Sequence, residues 1–268
     1  MSKLDNNNKE SADQPKGVND ILDEQMSSAM HEYERSNQRL FISALSAGLE
    51  IGFSIFLMGV FFTLFNGQVS NEILHVLISL AYPIGFIFVI IGRSELFTEH
   101  TTLAILPVLN KTASIKSLFI LWGIILIGNL IGGYIFGAIL AYFAPAIGII
   151  SFEAFAHLAH KVIDIPLQLI LISAIIAGWL MGLLSWLAAS SQETISRLFM
   201  IVLITATIGI GGLHHSIVGS IEVFSGLLID PTIGIMDYLS FEAVSILGNA
   251  LGGVFFVGIM KYGQRRKL

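Results

Sequence analysis

The sequence predicts an all-α integral membrane protein: six transmembrane helices arranged as a 3+3 inverted repeat, with helices two and five broken. Three observations carry this. Of the 268 residues, 54% are hydrophobic and 12% charged, with mean hydropathy +0.80, whereas a soluble domain averages about 25% charged residues. Six apolar segments are long enough to cross a bilayer, and short motifs recur in the same order in the two halves.

The first element is polar. Residues 1–39 hold 13 of the 33 charges, leaving 20 for the other 229 residues. This stretch has no apolar core for a secretory signal to present, so it is expected to stay in the cytoplasm. Its first part, through Val18, has the composition of disorder. Residues 19–39, with Ile21, Leu22, Met26 and Met30, fit a short amphipathic helix at the membrane surface, and a frayed solvated tail accounts for the same composition. The expected organisation is a cytoplasmic tail over 1–39, a transmembrane domain over 40–262, and a basic cytoplasmic tail over 263–268.

A helix needs about 20 apolar residues to span, and such segments lie near 40–66, 72–109, 117–143, 163–189, 198–228 and 237–261. The second is too long for one simple span and contains Gly92-Arg93-Ser94-Glu95. The fifth is interrupted at Gly209-Ile210-Gly211-Gly212. Interrupted helices in corresponding positions point to a transport pathway. With the tail inside, inner connections collect Arg35, Arg39, Lys111, Lys116, Arg197, Lys261, Arg265, Arg266 and Lys267, and outer ones only Lys161. The positive-inside rule then puts both termini in the cytoplasm. The long outer connection, with Phe152, Phe155, Leu158 and Val162, fits a short interfacial helix.

Ala47-Gly48-Leu49-Glu50-Ile51-Gly52 in the first span resembles Ala177-Gly178-Trp179-Leu180-Met181-Gly182 in the fourth. Gly128-Asn129-Leu130-Ile131-Gly132-Gly133 in the third resembles Gly248-Asn249-Ala250-Leu251-Gly252-Gly253 in the sixth. Three spans is an odd number, so the second copy enters the membrane upside down. The glycines read as close-packing positions and the two asparagines as interhelical hydrogen-bonding groups.

Ionisable groups at membrane depth cost about 2.5–3.5 kcal/mol on insertion scales, so each asks for a reason. Glu50, Arg93, Glu95, Glu99, His100, His214, His215 and Glu222 are the candidates. Arg93 and Glu95 sit beside the first break and read as partners of each other or of freed backbone groups. His214, His215 and Ser216 follow the glycine break, where a histidine can switch charge near neutral pH. Adjacent residues differ by about 100° around a helix, so one imidazole alone faces a given axis. Glu99, His100, His214 and His215 supply metal-ligand atoms, yet no His-x-x-x-His or Glu-x-x-His spacing arranges them. No cofactor is expected: cysteine is absent, as are a phosphate-cradling loop and a nucleophile elbow. The basic run from Lys261 reads as a topology anchor and lipid contact, not a nucleic-acid patch.

Together these residues resemble the formate/nitrite transporters. The resemblance rests on Leu96-Phe97-Thr98 at the first break, His215-Ser216 after the second, the early Ala-Gly-x-x-x-Gly-like pattern at 47–52, and the two Gly-Asn-x-x-Gly-Gly motifs. It runs from about residue 30 to 262. It implies an aquaporin-like protomer with one pore, a homopentamer, and a central histidine, His215, between two apolar constrictions. Leu96, Phe97 and Phe86 match one constriction. Ile208 stands where the other expects an aromatic. Thr98 matches the threonine that bonds the histidine or substrate, and Lys161 the vestibule lysine. The departures are Glu99-His100 in place of Gly-Asn, His214 in place of Glu, and Gly219 in place of Asn.

The resemblance implies passage of a small monovalent anion, such as formate or nitrite, as its neutral acid, because a bare anion pays a large desolvation cost in an apolar slit. No catalytic residue and no resident metal are expected. The alternatives are a transporter of another small neutral or cationic solute, or an intramembrane metalloenzyme using His100, His214 and Glu99.

Overall fold

The computed structural model describes residues 15–265. Most of the segment read as disordered lies outside them. Among the described residues every regular element is a helix. The polar stretch forms α1 (Val18–Glu34), whose apolar residues Ile21 and Leu22 are buried against Leu106, Trp186 and Val257. The amphipathic helix therefore lies on the protein's own bundle, where it finds a complementary apolar surface. Lys16, just ahead of it, adds a tether by donating from Nζ to the Ala189 carbonyl at 2.8 Å.

The first apolar segment is α2 (Asn37–Phe65), started by Ser36, whose hydroxyl accepts from Arg39 N–H. The second divides into α3 (Asn71–Ala81), α4 (Pro83–Gly92), α5 (Phe97–Leu103) and α6 (Ile105–Leu109). Proline at the start of α4 lacks an N–H and disturbs the ladder. Ser54 of α2 repairs the joint: its hydroxyl donates to the Tyr82 carbonyl and accepts from Gly85 N–H. Then come α7 (Ile115–Ala146), α8 (Phe152–Ile163) in the long connection, α9 (Leu167–Ser190), α10 (Thr194–Ile210), α11 (Ser216–Leu227) and α12 (Ile235–Gly252). Beyond α12 the helix widens to a π-turn over Gly253–Ile259 and ends as α13 (Met260–Gly263).

Among the described residues, five helices are long and apolar enough to cross a membrane: Asn37–Phe65, Asn71–Gly92, Ile115–Ala146, Leu167–Ser190 and Ile235–Gly263. The segment read at 198–228 is instead two shorter apolar helices, α10 and α11. Gly212 at φ 59° accounts for the interruption, since a left-handed residue cannot continue the helix.

The halves make matching contacts. A Cβ on Gly48 would stand 2.1 Å from the Asn129 carbonyl, and one on Gly178 2.2 Å from the Asn249 carbonyl. The α2–α7 and α9–α12 crossings are thus backbone on backbone, which only glycine allows. Both breaks follow one plan as well. Arg93 takes φ 60° and Gly212 φ 59°, after which Ser94 N–H bonds the Val89 carbonyl and Leu213 N–H the Ile208 carbonyl, each at 3.0 Å.

Candidate functional site

The restart of each broken segment is held by an asparagine from the crossing helix. Asn129 Oδ1 accepts from Phe97 N–H at 2.8 Å, while its Nδ2 donates to the Ala44 and Glu95 carbonyls, each at 2.8 Å. Asn249 repeats the set: Oδ1 accepts from Ser216 N–H at 2.8 Å, and Nδ2 donates to the Ala174 and His214 carbonyls. Backbone groups freed by a break in an apolar medium must find partners, and one amide supplies both donor and acceptor. The two restarts are thereby brought together. Thr98 Oγ1 lies 2.8 Å from His215 Nε2.

His215 caps α11, its Nδ1 accepting from Val218 N–H at 3.4 Å. The ring hydrogen therefore sits on Nε2, which donates to Thr98 Oγ1. Phe86 meets the imidazole edge to face at 5.1 Å and stacks on Tyr82 at 5.3 Å. His215, Ile208, Tyr82 and Leu213 line a cavity of about 40 Å³ that also takes in Lys161, His214, Gly219 and Glu222. At about 10–15 Å³ per water-sized centre, it holds about three. Lys161 Nζ donates to His75 Nδ1 at 3.1 Å, and His75 is set for this because its Nε2 bonds the Ile210 carbonyl. Burial pushes the Lys161 ammonium below its usual range, with Glu222 opposing.

His214 faces differently. Its Nε2 donates to the Val162 carbonyl at 3.2 Å and its Nδ1 accepts from Ser173 Oγ at 2.8 Å, so it ties the break to α8 and α9. Gly219, the position without an amide, packs under Phe241: a Cβ there would stand 2.3 Å from the ring. The ring fills the place an asparagine side chain would need.

A second cavity, of about 570 Å³, is lined by Glu32, Arg35, Val89, Glu95, Glu99 and His100 among others. Arg35 donates to Glu32 Oε2 at 2.7 Å and to Glu95 Oε1 at 2.6 Å, joining α1 to the first break. His100 Nε2 lies 2.8 Å from Glu95 Oε2 and its Nδ1 3.1 Å from the Leu96 carbonyl. Both nitrogens face acceptors, and an imidazolium with two N–H groups satisfies both.

The residues read from sequence thus divide. His215, Ile208, Lys161 and His214 line the first cavity, and Glu99 and His100 the second. Phe86 and Thr98 lie against His215, while Leu96 and Ser216 are fully buried. Phe97 stands edge-on to Trp122 and lines an apolar groove with Leu126, Ala250 and Val254. The metal set of His100, His214 and Glu99 is not assembled, because the two histidines belong to different cavities. Among the described residues, Glu32, Glu95 and His100 come within 4.8 Å, and Arg35 together with the His100 imidazolium already balances the two carboxylates. Tyr82 and Ser173 carried no motif in the sequence, since their placement depends on helix packing.

Outside the spans, His160 of α8 bonds Asp164 and, through Nε2, Asp230 at 3.2 Å. The Asp164 hydrogen bond, with Asp230 adding, raises its pKa. The stabilisation is complete below the unfolded value, about 6.5, and is lost as pH rises through the folded value. Hydrogen exchange in residues 229–236 is expected to accelerate on going from pH 6 to pH 8 beyond the intrinsic base-catalysed increase, and the excess is expected to vanish in His160→Gln.

A family model described as formate/nitrite transporter matches residues 19–263. The chain belongs to the formate/nitrite transporter family. Inner membrane protein YfdC of Escherichia coli (strain K12) is 32% identical over 238 residues, covering 88% of this chain and 74% of that one. A probable formate transporter of Methanothermobacter thermautotrophicus is 26% identical over 199 residues, covering 67% of this chain and 71% of its own. Among solved structures, an FNT family ion channel superposes with TM-score 0.81 at 21% identity, covering 92% of this chain and 99% of that one. A pentameric formate channel with formate bound superposes with TM-score 0.72 at 21% identity, covering 84% and 96%. The fold is therefore that of the formate/nitrite transporters, and this family member is a multi-pass membrane protein of the channel and transporter class.

Proposed function

We propose that this family member passes a small monovalent anion such as formate or nitrite across the membrane as its neutral acid, with His215 at the centre of the path. The pathway runs from the Lys161 cavity past Ile208, Phe86, His215 and Thr98 to the cavity of Glu99 and His100. Leu96 completes the constriction, while Phe97, expected there from the sequence, turns to the Trp122 groove. Ser216 and His214 hold the break. Both termini face the cytoplasm, residues 40–262 form the transporting domain, and five copies assemble, as in the pentameric formate channel that shares its fold.

The observation that carries the reading is the environment of His215. It is 2% exposed among Phe86, Ile208 and Tyr82. A bare anion has no compensating charge at that depth, and leaving water unpaired costs far more there than crossing as an acid. With Nε2–H given to Thr98 Oγ1, the threonine hydroxyl proton is free to meet a passing oxygen. Lys161 supplies the attraction that gathers the anion.

The test is uptake of labelled formate and nitrite into liposomes over a pH series. Uptake is expected to rise as pH falls, and His215→Ala to reduce it about tenfold or more, in line with loss of a central polar contact at about 1.4 kcal/mol or above. Unchanged uptake in His215→Ala removes the role of the histidine, and absence of uptake for any small anion removes the anion reading.

A second reading, a small neutral or cationic solute, is favoured by Glu32, Glu95 and Glu99 around the second cavity. Formate permeation that appears only in the double variant Glu99→Gly, His100→Asn supports it.

A further inference from the structure

We propose that Glu222 is the proton-bearing group of the Lys161 cavity, delivering to the entering anion the proton with which it crosses. This rests on the anion reading above and names the proton source that reading leaves open.

His215 is poorly placed to be that source. Its Nδ1 lone pair is committed to Val218 N–H and its Nε2–H to Thr98 Oγ1, so releasing or gaining a proton breaks the cap of α11 or the bond between the two restarts. His214 is committed in the same way, to Ser173 and the Val162 carbonyl. Glu222 is not. It lies seven residues beyond His215 on α11, about 10 Å along the axis, and is 6% exposed. It lines the same cavity as Lys161 and His215. Its carboxyl makes no hydrogen bond to another described residue, whereas both oxygens of the other buried carboxyl nearby, Glu242, are sealed from any opening.

The groups facing Glu222 can be named element by element. Lys161 comes from α8 and interacts with it electrostatically. Tyr82, between α3 and α4, also feels its charge, and its hydroxyl has no hydrogen-bond partner. From the break come His214 and His215, and from α12 the uncharged ring of Phe241. Tyr238 and Glu242 of α12 group instead with Ser220 and Tyr134, outside this cavity's lining.

A lysine opposite a carboxyl makes a two-state device. With Glu222 protonated, the ammonium is uncompensated and the cavity attracts an anion. Transfer of the carboxyl O–H proton to the anion breaks one O–H bond and forms another, leaving Glu222 as carboxylate and the substrate as neutral acid. The new carboxylate now pairs with Lys161, which stabilises the proton donor's product and releases the neutral molecule from the same attraction. Solvent returns the proton to Glu222 once the acid has moved past His215.

The experiment is labelled formate uptake into liposomes holding the full-length protein, with external pH stepped from 7 to 4. At pH 7, Glu222→Gln is expected to lower uptake about a hundredfold, the low end for loss of a positioned acid. The gap is expected to close at pH 4, where bulk water protonates the anion, and Glu222→Asp is expected to recover most of the loss with a displaced pH profile. A Glu222→Gln profile parallel to wild type overturns the proposal while leaving the anion reading intact. A deficit that persists unchanged at pH 4 also overturns it, since a steric or packing role gives that result. If Glu222→Gln does not fold, Glu222→Asp decides: an undisplaced profile counts against the proposal. A wild-type protein that takes up no small anion overturns both.

Discussion

Asn249→Leu is expected to yield little or no folded protein. The exchange leaves Ser216 N–H and the His214 carbonyl without the amide that meets both. Interhelical hydrogen bonds in membranes average only about 0.6 kcal/mol, which taken alone makes the change mild. These bonds are of another kind, because they satisfy backbone groups freed by a break, and each such group left buried costs about 1–3 kcal/mol. Two of them sum to a sizeable part of a marginal stability of about 5–15 kcal/mol. Asn129→Leu is expected to match it through Phe97 N–H and the Glu95 carbonyl. Detergent-solubilised yield and thermal aggregation by size-exclusion chromatography check both. Survival of either variant at wild-type stability shows that the restarts have other partners.

Gly252→Ala is the second large effect. Its Cβ would stand 2.1 Å from the Ile175 carbonyl and 2.7 Å from Trp179 N, both backbone atoms that cannot turn aside. The α9–α12 crossing must open, at about 1–3 kcal/mol for one methyl group and more for Leu. Gly132→Ala, 2.1 Å from the Leu45 carbonyl, is expected to do the same at the α2–α7 crossing. Gly123→Ala is the control: nothing lies within 4 Å of its Cβ, and alanine favours the helix by about 1 kcal/mol. It is expected to be neutral or stabilising in the same thermal assay.

Much of this was legible in the sequence because lipid leaves so few options. Apolar length marked the helices, and the glycines at 48, 132, 178 and 252 marked where backbones meet. Both breaks fell where Gly92-Arg93 and Gly211-Gly212 placed them. The asparagines read as cross-helix bonding groups are that, though their second duty toward the breaks depended on the fold. What periodicity does not carry is direction around a crossing. Phe97 and Thr98 are neighbours in the chain, yet one lines the Trp122 groove and the other reaches His215. Glu222 stood out as an ionisable group at depth, but its cavity is made by five separate segments that no local pattern connects. The docking of α1 was also hidden, since an amphipathic stripe fits a lipid surface and a protein surface equally well.

The paired asparagine clamps bear on timing. A break clamped at both its freed N–H and its freed carbonyl has no slack for the half-helices to swing or slide. Under the proposed function, passage between the cavities falls to local motions of the rings and hydroxyls around His215, without the helix displacements that take microseconds or longer. Turnover through such a path is set by how often a small molecule finds the aperture momentarily clear, and flux should climb with substrate concentration long after a rocking carrier would have saturated.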